Sequence, residues 1–148
     1  MADIFSKKKR SAIMALIRNK HTAPEKALKR RLRAQGVRYR SQCSRLPGTP
    51  DIVLPEAKVA VFINGCFWHG HKGCRRSKLP TTNVKFWKRK IAKNVARDRA
   101  VTRKLRAMGW KVRVYWTCKR LSEVVPVVAR ANYSKAHNPG SGDGQRSP

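Results

Sequence analysis

The chain has 148 residues, with 36 Lys and Arg against 7 Asp and Glu, a formal net charge of +29, and 41% hydrophobic content. That length and apolar content suit one domain with one modest core and exclude a disordered polycation. A charge of this size calls for a polyanionic partner, nucleic acid first, with an acidic membrane surface as the competing reading.

Up to about Arg10 the chain is charged and expected to be flexible. From Ser11 to Asn19, Ile13, Leu16 and Ile17 recur at helical spacing, which predicts a short amphipathic helix. Thr22-Ala23-Pro24-Glu25 has the form of a capping box, with Thr22 as N-cap, Pro24 in the first turn and Glu25 three residues after the cap. The helix it opens should run to Gln35 and stop at Gly36. Val37 to Gln42 reads as extended, and LPGTPD at 46–51 as a turn. Asp51 to Leu54 and Lys58 to Ile63 are short, apolar and rich in β-branched residues, so they predict two strands joined as a hairpin through Pro55-Glu56-Ala57.

The stretch NGCFWHGHKGC follows at 64–74, and then a loop around 79–83. From 84 to 108, Val84, Trp87, Ile91, Val95, Val101, Leu105 and Met108 mark the longest helix, with Gly109 just beyond its end. Trp110 to Trp116 alternates, with Trp110, Val112, Val114 and Trp116 on one face, and reads as a strand. Leu121 to Ala131 predicts a weak final helix broken near Pro126, and HNPGSGDGQRSP closes a tail from Ser134 that is expected to be disordered. The division is therefore a flexible basic segment 1–10, a single domain 11–133 and a tail 134–148. The order of elements gives an α/β class, a small mixed sheet flanked by helices.

No apolar run approaches about 18 residues and no secretory leader pattern is seen, so a cytoplasmic location is expected. Of the cysteines at 43, 66, 74 and 118, two disulfides are conceivable, but a reducing compartment argues against them. Cys66, His71 and Cys74 lie close in sequence and Cys118 directly follows a strand, so loop and strand-end ligands could converge. A closed Cys₃His set of this kind is a structural zinc site, since a catalytic zinc keeps a position for water. Spacing leaves His69 as an alternative to His71, and the bland reading is a set of buried free thiols. Cys43 has no neighbouring ligand in sequence.

Asp51 stands at the mouth of a strand, where a carboxylate is rigidly held, although a turn-forming Asp is the plainer reading. Asp98 falls on the apolar stripe 91, 95, 98, 102, 105 of the long helix, so it needs a partner other than the adjacent Arg97 and Arg99. These residues suggest a divalent-metal hydrolase, with Asp51 on Mg²⁺, a histidine beside the attacking water and Asp98 orienting one of them. Glu25 reads first as a capping residue. Phe67 and Trp68, with Phe86 and Trp87, are either core or a wedge between bases.

LPGTPDIVLPEAKVAVFINGCFWHGHKGC, followed by LPTTNVKFWKRKIAKNVARDRAVTRKLRAMGWKVRVYWTC, resembles the very-short-patch repair (Vsr-type) DNA mismatch endonucleases over about residues 6–120. The resemblance implies a restriction-endonuclease-like fold of the PD-(D/E)xK superfamily with a structural zinc, acting as a strand-specific nuclease beside a T:G mismatch. It implies catalytic roles for Asp51, His69, Asp98 and Glu25, zinc on Cys66, His71, Cys74 and Cys118, and intercalation by Phe67, Trp68 and Trp87. Mg²⁺ would be held by Asp51 and by the backbone carbonyl of Ile63, which stands where the superfamily has a second acid. The implied partner is double-stranded DNA carrying a T:G mismatch, bound by a monomer at the bacterial nucleoid, with other mismatch-repair proteins as further partners. The rival from another class is a non-catalytic zinc-stabilised nucleic-acid-binding protein, which needs neither Asp98 on the stripe nor His69.

Overall fold

The computed structural model describes residues 6–16 and 22–136. In chain order the elements are α1 (Lys7–Leu16), α2 (Ala23–Ala34), β1 (Arg40–Ser41), β2 (Ile52–Leu54), β3 (Val59–Asn64), α3 (Val84–Ala107), β4 (Lys111–Trp116) and α4 (Leu121–Ala136), with a short 3₁₀ turn at Arg75–Ser77 before α3. The strands form one mixed sheet in the order β1-β2-β3-β4. The pairs β1/β2 and β2/β3 are antiparallel, while β4 lies parallel to β3 with Ile63 opposite Tyr115. The expected α/β architecture is present.

The two glycine stops act by one mechanism. After α2, Gly36 takes φ +68, its N–H donates to the Arg33 carbonyl, and Val37 N–H returns to the Leu32 carbonyl at 3.0 Å. After α3, Gly109 takes φ +80, its N–H donates to Arg106, and Trp110 N–H returns to Leu105 at 3.0 Å. This is the Schellman arrangement, and around α2 it also buries Val37 beside Leu32.

Leu28 and Leu32 of α2 and Val125 and Val128 of α4 pack with Ile52, Leu54, Val59, Val61 and Tyr115 of the sheet to make the core. Each such side chain contributes about 1.5–3 kcal/mol relative to exposure. The alternation in β4 holds, but its one buried side chain is Tyr115, opposite the face carrying Val112 and Trp116. The other face meets α3, where a Cβ on Gly48 would lie 2.5 Å from Val101 and 3.4 Å from Phe62.

Five expectations change. The first helix begins at Lys7 rather than Ser11, and the end expected for it at Asn19 lies outside the described residues. Thr22 precedes α2 in an extended conformation but makes no side-chain cap. Glu25 is not its reciprocal partner, because that side chain is turned inward and is 2% exposed. Finally, α4 continues through Pro126 to Ala136 instead of breaking, with Pro126 exposed and Val125 and Val128 holding the inner face on the core. Packing there outweighs the lost backbone bond. The helix also passes Ser134, the expected start of the tail, while the rest of that tail, 137–148, lies outside the described residues.

Candidate active site

Pro50 is buried and Asp51 N–H donates to the Val61 carbonyl at 3.0 Å, so Asp51 enters β2 already fixed by its hairpin partner. Its Oδ2 accepts the Ile63 N–H at 2.7 Å and its Oδ1 accepts Gln42 Nε2 at 3.2 Å. The same Nε2 lies 3.1 Å from Glu25 Oε1, so one amide joins two carboxylates. Gln42 does this from a left-handed backbone, φ 51, an uncommon conformation for a side chain other than glycine. Glu25 is further paired with Lys29, one turn along α2. Burial, and after it the Glu25 charge, pushes the Asp51 carboxyl above its ordinary value, against the opposing pull of Ile63, Gln42 and Lys29.

The residues alone pointed to Asp51, and the resemblance alone to Glu25; neither pointed to Gln42 or Lys29. Lys29 had a signal, since Glu followed by Lys four residues on is a helical ion-pair spacing. Gln42 had none, because its role depends on a turn conformation.

β3 ends at Asn64, and the chain then folds into consecutive tight turns. His69 N–H donates to Gly65, His71 N–H to Cys66 and Cys74 N–H to His71, with Gly70 at φ +59 and Gly73 at φ +71. The Ser77 hydroxyl sits 2.6 Å from the His71 carbonyl and 2.7 Å from that of Cys74. The loop lies along α3. Asn94 Nδ2 donates to the Trp68 carbonyl at 3.0 Å, and a Cβ on Gly70 would stand 3.0 Å from Ile91 and 3.2 Å from Val95.

One turn further along that helix, Asp98 Oδ2 lies 2.6 Å from His69 Nδ1. The stripe expected to carry Asp98 inward does so in part, leaving its side chain 31% exposed with His69 as its partner. The pair fixes the imidazole by Nδ1 and leaves Nε2 for other chemistry, the arrangement of an oriented general base. The rival histidine, His71, is used differently. It stacks on Trp116 with centroids 4.1 Å apart and places Nδ1 3.4 Å from Cys118 Sγ.

Cys66, His71, Cys74 and Cys118 converge so that their ligand atoms all lie within 4.8 Å of one another. A tetrahedral ion with bonds of about 2.0–2.3 Å would space its ligands by about 3.3–3.8 Å, so a slight contraction closes the set. The chemistry of the thiols fits as well. Burial pushes the Cys66 thiol up, but hydrogen bonds with His71, Cys118 and Thr117 outweigh it and bring it to about 7, whereas burial and the neighbouring Cys66 and Cys74 sulfurs push Cys118 up to about 11. A cluster that must share its protons is one that a cation relieves. It could hold a metal ion, and His69 is not part of it. Cys43, excluded on spacing, is also absent from it.

The aromatic side chains meet at Trp87, which is 8% exposed and lies edge-on to Phe67, Trp68 and Phe86 at 5.3, 5.8 and 5.1 Å. Phe67 and Trp68 are half-buried, Phe86 is 49% exposed, and Lys90 stands 5.9 and 5.7 Å from the Trp68 and Phe86 rings. Phe67 and Trp68 thus share one cluster, their rings 5.1 Å apart, and neither is fully buried. No helix among the described residues is long and apolar enough to cross a membrane.

A family model described as DNA mismatch endonuclease Vsr matches residues 2–76. The type II nicking enzyme V.XorIIP of Xanthomonas oryzae pv. oryzae is 44% identical over 130 residues, 88% of this chain and 94% of that protein. The type II nicking enzyme V.NmeAIP of Neisseria meningitidis is 43% identical over 125 residues, 84% of this chain and 89% of that protein. DNA mismatch endonuclease Vsr of Escherichia coli K12 is 44% identical over 118 residues, 80% of this chain and 75% of that protein.

Proposed function

Because the chain belongs to the Vsr family of DNA mismatch endonucleases, we propose that it nicks one strand of duplex DNA beside a T:G mismatch, by Mg²⁺-dependent hydrolysis in very-short-patch repair. The observation that carries this reading is the 2.6 Å pair between His69, on the loop that bears Phe67 and Trp68, and Asp98 of α3. A protein that only binds DNA has no use for an imidazole oriented by a carboxylate. The mixed sheet, with Asp51 behind Pro50 and a hairpin partner in β3, supports a restriction-endonuclease-like core.

The basic surface would neutralise phosphates, making affinity steeply salt-dependent. Phe67 and Trp68 enter the stack next to the mismatch, with Trp87 as the root of the wedge. A weakly stacked step resists opening less than a paired one, by a share of the roughly few kcal/mol that unstacking costs, so insertion itself discriminates. Asp51 would hold Mg²⁺ together with the Ile63 carbonyl. Because N–H and C=O of one strand residue face the same neighbour, and the Ile63 N–H faces Asp51, its carbonyl lies on that side too. One or two carboxylates plus substrate oxygens is a donor set that Mg²⁺ accepts. When bound, the ion would polarise the phosphate and stabilise the leaving 3′ oxygen. His69 Nε2 takes the proton of the attacking water while Asp98 keeps Nδ1 in place, and Glu25 supports Asp51 through Gln42. Products are a 5′ phosphate and a 3′ hydroxyl.

Zinc is the ion we assign to the Cys/His cluster, as a structural clamp on the loop that carries His69 and the wedge. We further infer a monomer acting on the bacterial nucleoid in the cytoplasm, beside other mismatch-repair proteins.

The test is a T:G duplex incubated with Mg²⁺ and either the wild-type chain or Asp51→Ala. Nicking by the wild type alone, with both proteins binding, is expected. Binding by both without nicking by either would return the protein to the class of zinc-stabilised DNA binders.

A further inference from the structure

The sheet separates two helical layers. Leu28 and Leu32 of α2 and Val125 and Val128 of α4 pack on one face of it, while α3 covers the other, where Gly48 leaves room for Val101 beside Phe62. The aromatic wedge, His69 and Asp98 all belong to the α3 side. The α2 side carries charge with nothing to balance it. From 22 to 50 the chain has eight Lys and Arg and one acid, Glu25, which is buried and paired with Lys29. Lys26, Arg30 and Arg33 follow one another along α2 at steps of four and three, all exposed, and among the described residues none of them meets an acid. Arg33 stands 5.7 Å over the Tyr39 ring, which braces the far end of the row.

A row of this kind works against its own helix. Like charges three and four apart repel, and Lys26 sits in the first turn, at the positive end of the helix dipole. Salt lessens that cost, and a polyanion laid along the row turns it into binding. The row also leads away from Asp51, since Arg33 stands about 10 Å further along the helix axis than Lys26. It lies across the sheet from the wedge, two packed layers of about 10 Å each. A duplex opened by Phe67 and Trp68 therefore does not reach it. We propose that this flank of α2 is a second duplex-binding face, which takes the phosphates of another DNA segment while the wedge side holds the first, so that the chain passes directly from duplex to duplex in its search. This rests on the reading that the loop and α3 face the substrate. Because phosphates carry no sequence, the second segment needs no mismatch.

The test holds the zinc-loaded full chain on a fluorescent T:G duplex whose scissile linkage is non-hydrolysable, and follows its release by stopped flow as unlabelled, fully paired duplex is added. Simple dissociation goes at one rate whatever the competitor concentration, whereas transfer through a second face quickens with it. The wild-type rate should rise severalfold across the titration. With Lys26→Gln, Arg30→Gln and Arg33→Gln combined it should stay flat, while single-turnover nicking of one short cleavable T:G duplex is unchanged and the melting midpoint does not fall. Lys104→Gln, Arg106→Gln and Lys111→Gln combined remove the same charge from exposed positions at the far end of α3 and the start of β4, and should keep the rise. Wild-type release that ignores competitor, a rise that survives in the α2 variant, or its loss in both variants overturns the proposal. So does a fall in nicking by the α2 variant, which would place the row on the substrate duplex. A chain that transfers between fully paired duplexes but shows no preference for T:G leaves the second face standing, and the mismatch reading is what has failed.

Discussion

The two sides of the candidate site are held by opposite means. Around Asp51 the support is strand and helix. Its carboxylate oxygens take donors from Ile63 and Gln42, and Glu25 has Gln42 and Lys29. Around Cys66 the support is a loop of turns, whose three metal-capable side chains meet Cys118 from the end of β4 and compete with it for protons. The difference teaches that the acid side is formed by the protein itself, while the Cys/His side asks for an ion to finish it. Chemistry and folding should therefore separate on one side and coincide on the other.

The widest test of that contrast pairs Asp51→Asn with Cys66→Ser. Both should lower single-turnover nicking by about 10³-fold or more, beyond what loss of one transition-state donor alone gives. Only Cys66→Ser should also release the metal and lower the melting midpoint, by roughly 10 °C for a structural loss of several kcal/mol in a chain of this size. Equal melting of the two variants would remove the distinction. Next in size is the imidazole pair. His69→Ala should cost about 10²–10⁴-fold in nicking with DNA binding kept, the range for a general base. Asp98→Asn, which acts through His69, should cost about 10–100-fold. If Asp98→Asn proves as damaging as His69→Ala, Asp98 does more than orient.

A smaller effect is expected at Asn94→Ala, which removes the donor to the Trp68 carbonyl. A loss of about 1 kcal/mol should appear as weaker mismatch binding by up to about tenfold, with the acid side untouched.

The smallest effect is in pH dependence. Asp51 is held above its unfolded value by burial first and by Glu25 next. Folding is then favoured when Asp51 is protonated, a contribution present below the unfolded value and lost as pH rises through the folded one. Without divalent cation, Asp51→Asn should melt slightly higher than wild type at neutral pH, and the gap should close on acidification. A gap that widens toward acid would mean that the carboxylate is stabilised rather than strained.

Much of this could be read from the sequence because the signals were local. Gly36 and Gly109 marked helix ends, the periodicity from Val84 to Leu105 gave α3 and its inner stripe, and the stripe put Asp98 where a partner was needed. Spacing and the strand preceding Cys118 pointed to the Cys/His cluster but left His69 and His71 as alternatives, and the resemblance favoured His71, which is the one in the cluster. What escaped was set by tertiary context. Glu25 fits a capping pattern, but the pull of Gln42 and Lys29 on its carboxylate outweighs a surface cap. Pro126 should break an isolated helix, and the packing of Val125 and Val128 on α2 keeps it intact. For Trp87 the residues left core and wedge both open, and three neighbouring rings enclose it.

The fit of the loop against α3 also governs how this chain can change length over evolution. Ile91, Asn94, Val95 and Asp98 form one continuous strip that meets Gly70, the Trp68 carbonyl and His69 in turn. A single inserted residue between 91 and 98 would swing everything beyond it by about 100° around the helix and move Asp98 off His69. The segment 78–83, which joins the 3₁₀ turn to α3, has no such strip to keep in phase. Insertions and deletions in descendants of this gene should therefore accumulate at 78–83 and be absent from 91–98.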